Sequence, residues 1–337
     1  MQSLIILRRV ATLAIIVSLI VVMLGAYTRL THAGLGCPDW PGCYGRMAVS
    51  SLQSELPDAQ ARFPDVPIES RKAWTEMGHR YVAGSLVLLI LLINVCVFRA
   101  NRQGQRVPWG VPVVVMFLIV FQALLGMWTV TLKLLPLVVM GHLLGGILIF
   151  SSLCYFRMQL SAVRQADNAV WRFWISLGLA LVFCQIALGG WVSSNYAGVA
   201  CVGFPQCNGQ WLPALHFSEA FHLFSPIGAN YQGGVLDSDA RVTIQFVHRL
   251  GAMVVAGYLL ILSIWLWSRS RFASLRRAAL LIVCLVLAQF TLGILSVVYL
   301  LPLWVAVFHN GVAALLLASM LVMRYVVSGE ARNASSF

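Results

Sequence analysis

Charge is scarce in this chain. Only 10% of its 337 residues are charged, and Asp and Glu together number 11. Hydrophobic types make up 60% and the mean hydropathy is +0.85. A soluble domain of this length has no interior able to hide so much apolar surface, which excludes the soluble classes and leaves an integral membrane protein. Other absences narrow the reading further. The stretch "GAYTRL" after the first apolar run lacks a small-residue cleavage site, so that run reads as a retained helix and not a signal peptide. The segment before it is too short for a mitochondrial transit peptide, which favours a bacterial plasma membrane. The cysteines lack metal-knuckle spacing, which argues against structural zinc.

Eight apolar runs are long enough to span the hydrocarbon core as helices: about 10–26, 78–98, 109–130, 135–156, 173–192, 246–267, 278–300 and 303–325. With the N-terminus inside, the inner segments hold Arg8, Arg9, Arg99, Arg102, Arg106, Arg157, Arg164, Arg172, Arg269, Arg271, Arg276, Arg277, Arg324 and Arg332 against only Asp167 and Glu330. The nine remaining basic residues and nine remaining acids lie outside and cancel, so the formal charge of +12 sits on the inner face. That is a topology signal with both termini cytoplasmic, and it gives no support to nucleic-acid binding. Two long outer loops, about 28–76 and 194–244, contrast with short outer turns near Lys133 and Pro302. Function is expected on the outer side.

The chain repeats itself. "GAYTRLTHAGLGCPDWPGCYG" (25–45) and "GGWVSSNYAGVACVGFPQCNG" (189–209) align at an offset of 164 with seven identities in 21 positions. "GHRYVAGSLVLLILL" parallels "VHRLGAMVVAGYLLIL", "FQALLGMWTV" parallels "AQFTLGILSV", and "LLPLVVMGHLLGGILIF" parallels "LLPLWVAVFHNGVAALLL". The expected fold is an all-α membrane protein of eight transmembrane helices, built as two tandem four-helix bundles, 1–160 and 161–337. Each half crosses the membrane four times and so enters it in the same sense. This implies a pseudo-twofold axis along the membrane normal.

The repeat sorts the histidines. His32, His216 and His222 lie in outer loops with no histidine counterpart, whereas His79 matches His248 and His142 matches His309. His79 and His248 are expected in the first outer turn of the second and sixth helices. His142 and His309 follow Pro136 and Pro302 by six and seven residues, about 9–10 Å into their helices at about 1.5 Å per residue. A lone histidine on an apolar helix is usually a packed residue. Ionisable groups at matched depth in two halves point instead to function, and two facing imidazoles per bundle suit axial ligation of a heme iron. Arg80 and Arg249, which follow two of these histidines, are expected either to pair with heme propionates or to act as interfacial anchors. Glu76 stands three residues before His79 where Gln245 stands three before His248. Residues i and i+3 share a helix face, so a carboxylate beside only one candidate ligand places proton chemistry in the N-terminal half and a resident cofactor in the other. Gln122 and Gln289, each four residues before a glycine, read as helix-packing positions.

Cys37 with Cys43 and Cys201 with Cys207 lie outside, where oxidising conditions favour disulfides. The expected role is a staple holding each loop as a lid. Cys96, Cys154, Cys184 and Cys284 fall in apolar helices and read as packing residues.

The ordered set "TRLTHAGLGCPDWPGCYG", "EMGHR", "GHLLGG", "VHRLGA" and "FHNGVAALLL" on a tandem eight-helix repeat resembles the heme A synthase family over nearly the whole chain. The resemblance implies an oxidoreductase that converts heme O to heme A, oxidising the C8 methyl to a formyl group by successive hydroxylations for use in terminal oxidases. It implies a heme b cofactor in the C-terminal half on His248 and His309, near Arg249. The substrate heme O would then bind to His79 and His142, near Arg80, with Glu76 catalytic and the sites toward the periplasm. Membrane lipid, heme O synthase and cytochrome oxidase assembly factors are the implied partners, besides an electron acceptor that the sequence does not name. A non-enzymatic di-heme cytochrome b would explain the four histidines but not the Glu76/Gln245 difference. A repeat-built transporter would hold no heme.

Overall fold

The computed structural model describes residues 2–49, 56–64, 66–161 and 168–328. Arg164, Asp167, Glu330 and Arg332 of the inner charge pattern lie outside them. The helices are α1 (Gln2–Leu30), α2 (Leu56–Arg62), α3 (Ser70–Arg102), α4 (Gly110–Thr131), α5 (Pro136–Gln159), α6 (Ala169–Ser194), α7 (Phe217–Ala220), α8 (Ser238–Arg269), α9 (Ala273–Val298) and α10 (Leu303–Val326). Among the described residues eight of them are long and apolar enough to cross a membrane. A spanning chain must satisfy its backbone internally, and helices do so within one segment. Pro136 sits in the first turn of α5, where its missing N–H costs nothing. Asn168 caps α6 by accepting from the Trp171 amide at 3.0 Å.

α3 and α8 begin at Ser70 and Ser238, well outside the apolar runs expected from 78 and 246. Their opening turns carry Arg71, Lys72 and Glu76, or Asp239 and Arg241, which lower local hydropathy without breaking the helix. His79 and His248 therefore sit inside long helices and not in their first turns.

Helix packing follows the repeat. α1 packs on α3 and α5, and α4 closes that ring. α6 packs on α8 and α10, and α9 closes the second. The rings meet through α1–α10, α5–α6 and α5–α10. Exchanging the halves turns the first of these contacts into the second and the third into itself, the pattern of a pseudo-twofold axis between α5 and α10. Repeat mates also touch one another. Arg29 Nη2 donates to the Ser193 carbonyl at 2.6 Å, and the rings of His32 and Tyr196 stack at 5.7 Å. Each pair is 164 residues apart, as residues beside the axis must be. Both His32 and Tyr196 are left-handed, at φ 54° and 55°.

One apolar core joins Leu7, Leu86, Ile90, Ile119 and Phe156 in the first ring. Another joins Leu259, Ile282, Leu317 and Met320 in the second, and takes in Val22, Ile147 and Phe150 from the first. Phe117 and Ile261 stand more than 70% exposed on the outer helix faces, where acyl chains rather than water surround them. Cys184 and Cys284 are exposed on such faces too, so those two are not the packing residues expected, because their helix faces point away from the bundle. The second long loop crosses the halves: the Tyr231 amide donates to the Lys133 carbonyl at 3.0 Å.

Arg29 also lies 3.8 Å over the Tyr196 ring. Arg29→Ala removes that contact and a charged hydrogen bond and is expected to cost about 1.5–3 kcal/mol. Thermal unfolding in detergent measures the loss, and Arg276→Ala, whose guanidinium lies over Trp267 at the inner end, should cost less.

Candidate functional site

The four matched histidines come together in pairs. His79 on α3 and His142 on α5 face each other with ring centroids 6.3 Å apart and planes at 77°. His248 on α8 and His309 on α10 line one cavity of about 630 Å³ in the second ring, walled mostly by apolar groups such as Leu259, Val286 and Ala313 but also by Gln185, Gln289, Arg29 and Arg249. Among the described residues no three His, Cys, Asp or Glu side chains converge. Each pair is thus a two-nitrogen site, which is the donor set of an axially ligated porphyrin iron and not of tetrahedral zinc. Two metal–imidazole bonds of about 2 Å, plus the half-width of each ring, span roughly 6 Å, and the His79–His142 spacing matches. His79 and His309 each bury an Nδ1 with no protein partner. A heme iron fits these donor sets.

One contact sets every ring. A Cβ added to Gly25 would stand 3.2 Å from Cε1 of His79, to Gly126 3.2 Å from His142, to Gly189 3.1 Å from His248, and to Gly293 3.3 Å from His309. Each glycine lies on the long helix preceding that of its histidine, and its missing side chain lets the imidazole edge reach the backbone. One turn before three of these glycines is a glutamine. The Gln122 amide nitrogen lies 3.1 Å from Nδ1 of His142, Gln185 3.0 Å from Nδ1 of His248, and Gln289 3.2 Å from Nε2 of His309. Gln122 and Gln289 are therefore not mere packing positions, and Gln185 escaped notice although it precedes Gly189 by four. The Q-x-x-x-G spacing, read across both halves, was the available signal.

The two long loops are tied to the histidine-bearing helices through matched arginines. Arg80 Nη1 donates to the carbonyls of Asp39 at 3.1 Å, Pro41 at 3.2 Å and Gly42 at 2.5 Å. Arg249 Nη1 donates to Gly203 at 2.8 Å and Gln206 at 3.2 Å, and its Nη2 to the Cys201 carbonyl. Both loops are stapled, Cys37 to Cys43 and Cys201 to Cys207. Glu76 is 4% exposed. Its Oε1 pairs with Arg80 Nη2, and its Oε2 accepts from the Cys37 amide at 2.9 Å. Gln245 is equally buried, but its Oε1 finds no partner. Tyr44, buried under the first loop, donates its hydroxyl to the Pro67 carbonyl at 3.1 Å. Burial first, then Glu69, Glu76 and Asp39, raise its pKa. His216 and His222 stay in the second loop away from the pairs; His216 lies 4.0 Å from Asp239.

The model of the family described as COX15-CtaA, cytochrome oxidase assembly protein, matches residues 8–321. The chain belongs to the COX15-CtaA family. It is 44% identical over 328 residues to a protein of Shewanella oneidensis named heme A synthase, covering 96% of this chain and 97% of the relative. Proteins of the same name from Beijerinckia indica and Alkalihalophilus pseudofirmus are 29% and 24% identical, over 91% and 92% of this chain and 88% and 93% of theirs. The eight long helices of this COX15-CtaA member all fall at least partly within the matched region.

Gly293→Val is expected to push His309 off its position by overpacking, a penalty of about 1–3 kcal/mol, and to lower the heme bound per protein severalfold. Gly257→Val, on α8 with nothing near its added Cβ, should leave that ratio unchanged. Heme extraction and quantification after purification decide it.

Proposed function

We propose that this chain is a heme A synthase: an oxidoreductase that converts heme O to heme A by oxidising the C8 methyl to a formyl group. The reading is carried by one observation. Two imidazole pairs repeat across the halves, and only one of them has a carboxylate, Glu76, three residues from a histidine where the other has Gln245. The family match and the relatives' shared name support it.

In this reading residues 1–160 hold the substrate and residues 161–337 hold heme b. His248 and His309 hold the heme b iron, which supplies one-electron redox chemistry when bound. His79 and His142 hold heme O, whose apolar tail lies between helices open to lipid. Glu76 takes up protons lost at the methyl carbon, and its contacts with Arg80 and the Cys37 amide keep it in place. Arg80 and Arg249 hold the stapled loops over the porphyrin edges and set positive charge at the level of the propionates. The sites open toward the periplasm of a bacterial inner membrane, with both termini in the cytoplasm, as the inner arginines favour. Heme O synthase is the partner that delivers substrate, and oxidase assembly factors receive the product.

Glu76→Gln keeps the side chain's size and one of its two accepted hydrogen bonds, because its NH2 end cannot accept from Arg80 or the Cys37 amide. It is expected to retain heme at parental levels while heme A formation falls by at least 100-fold, within the range assigned to general acid–base groups of about 10²–10⁴. Mass analysis of extracted hemes is the measurement, and full heme A yield would remove Glu76 from the mechanism. His309→Ala should lose heme B and His79→Ala should spare it. Heme B alone in the parent, with no heme O, hydroxylated heme or heme A, would favour the electron-transfer cytochrome.

A further inference from the structure

The ring-holding pattern has a gap. Three of the four imidazoles meet a glutamine from the preceding long helix, one turn below the glycine that their ring edge touches. For His142 and His248 the hold has two points, because Gln122 and Gln185 also donate to the histidine's own carbonyl, the latter at 2.9 Å. A side chain tied to both the ring and the backbone of one histidine fixes its rotamer. An amide also has a donor and an acceptor end, so it meets either ring tautomer. Space for these amides is built in: a Cβ on Gly145 would run into Oε1 of Gln122, and one on Gly251 into Oε1 of Gln185.

His79 has none of this. The residue four before Gly25 is Val21, where Gln185 precedes Gly189, and the residue matching Gly251 is Val82. His79 keeps the glycine contact at 3.2 Å and, like His309, buries an Nδ1 without a protein partner; what sets it apart is that no glutamine meets its ring. Partners of metal-bound imidazoles orient the ring and strengthen the ligand, and losing one typically costs about 10–100-fold in metal affinity or activity.

We infer that Gln122, Gln185 and Gln289 are positioning residues for three heme ligands, and that His79, which touches Gly25 but meets no glutamine, is the exchangeable ligand through which substrate heme enters and leaves the N-terminal site. The inference rests on the proposed division of the halves and adds to it a physical reason for one permanent and one transient heme. A cofactor site benefits from two fixed imidazoles. A substrate site that must release its product is served by one fixed ligand, His142, and one that can swing away.

The test is heme transfer from the purified full-length protein in nanodiscs, loaded with heme O, to excess apomyoglobin, followed by absorbance. The parent protein should lose heme O at least tenfold faster than heme B. Val21→Gln with Val82→Gly, which copies Gln185 and Gly251 into the first half, should slow heme O loss by tenfold or more. Gln122→Leu should speed it by a similar factor, and Gln185→Leu should speed loss of heme B only. If the double variant unfolds, as its melting curve would show, the two leucine variants carry the decision. Equal loss of the two hemes from the parent, or glutamine variants without effect on either rate, overturns the inference and leaves the division of the halves standing. Heme O binding that survives His142→Ala overturns that division, and the inference with it.

Discussion

The contact on which the sites depend is an imidazole edge lying against a glycine backbone. Four such contacts, at Gly25, Gly126, Gly189 and Gly293, fix how closely each histidine-bearing helix approaches its predecessor. A polar ring in an apolar bundle is costly unless its nitrogens find partners. The protein supplies part of that need with glutamines and leaves nitrogens on His79 and His309 unmatched. A bound iron would complete the set. Helix packing, ring orientation and ligand capacity are in this sense one constraint, and the left-handed turns that repeat between the halves bring the chain back to the same geometry twice.

The halves then diverge in a few side chains upon a shared frame. Glu76 against Gln245 puts a carboxylate beside one pair only. Val21 against Gln185, and Val82 against Gly251, change how firmly one ring is held. None of these differences disturbs the backbone repeat, because each is a side-chain exchange at a helical position. A duplicated fold separates into a holding site and a reacting site most economically in this way: the scaffold contacts stay, and only groups that touch the ring or its neighbour change.

Much of this was legible in the sequence. The eight spans follow from hydropathy, the two staples from paired cysteines in the long loops, and the four histidines from the repeat. What was not legible depended on the third dimension. Ser70–Gly78 and Ser238–Phe246 carry charges that conceal their helicity from a hydropathy reading, so the helix starts, and with them the positions of His79 and His248 along their helices, were misplaced. Gln122 and Gln289 looked like packing because a glutamine's partner twenty residues on cannot be read from spacing. The arginine contacts with loop carbonyls were hidden for a similar reason: the acceptors are backbone atoms, which leave no mark in residue identity.

Those arginine contacts link the loops to the ligands. Arg80 and Arg249 directly follow His79 and His248, so each guanidinium and its neighbouring imidazole move with the same helical turn. In the first half the link has one more member, because Glu76 bonds both Arg80 and the Cys37 amide. A swing of His79 away from its iron would therefore be felt through α3 at Arg80, at Glu76 and at the stapled loop. The second half has no such relay: Gln245 carries no charge, its Oε1 is unpartnered, and His248 is tied to Gln185. The half with the loosely held ligand is also the half whose loop is coupled to a carboxylate. In the proposed reading, ligand exchange and proton handling would thus fall on one helix, α3, which also carries the arginine that holds the first loop.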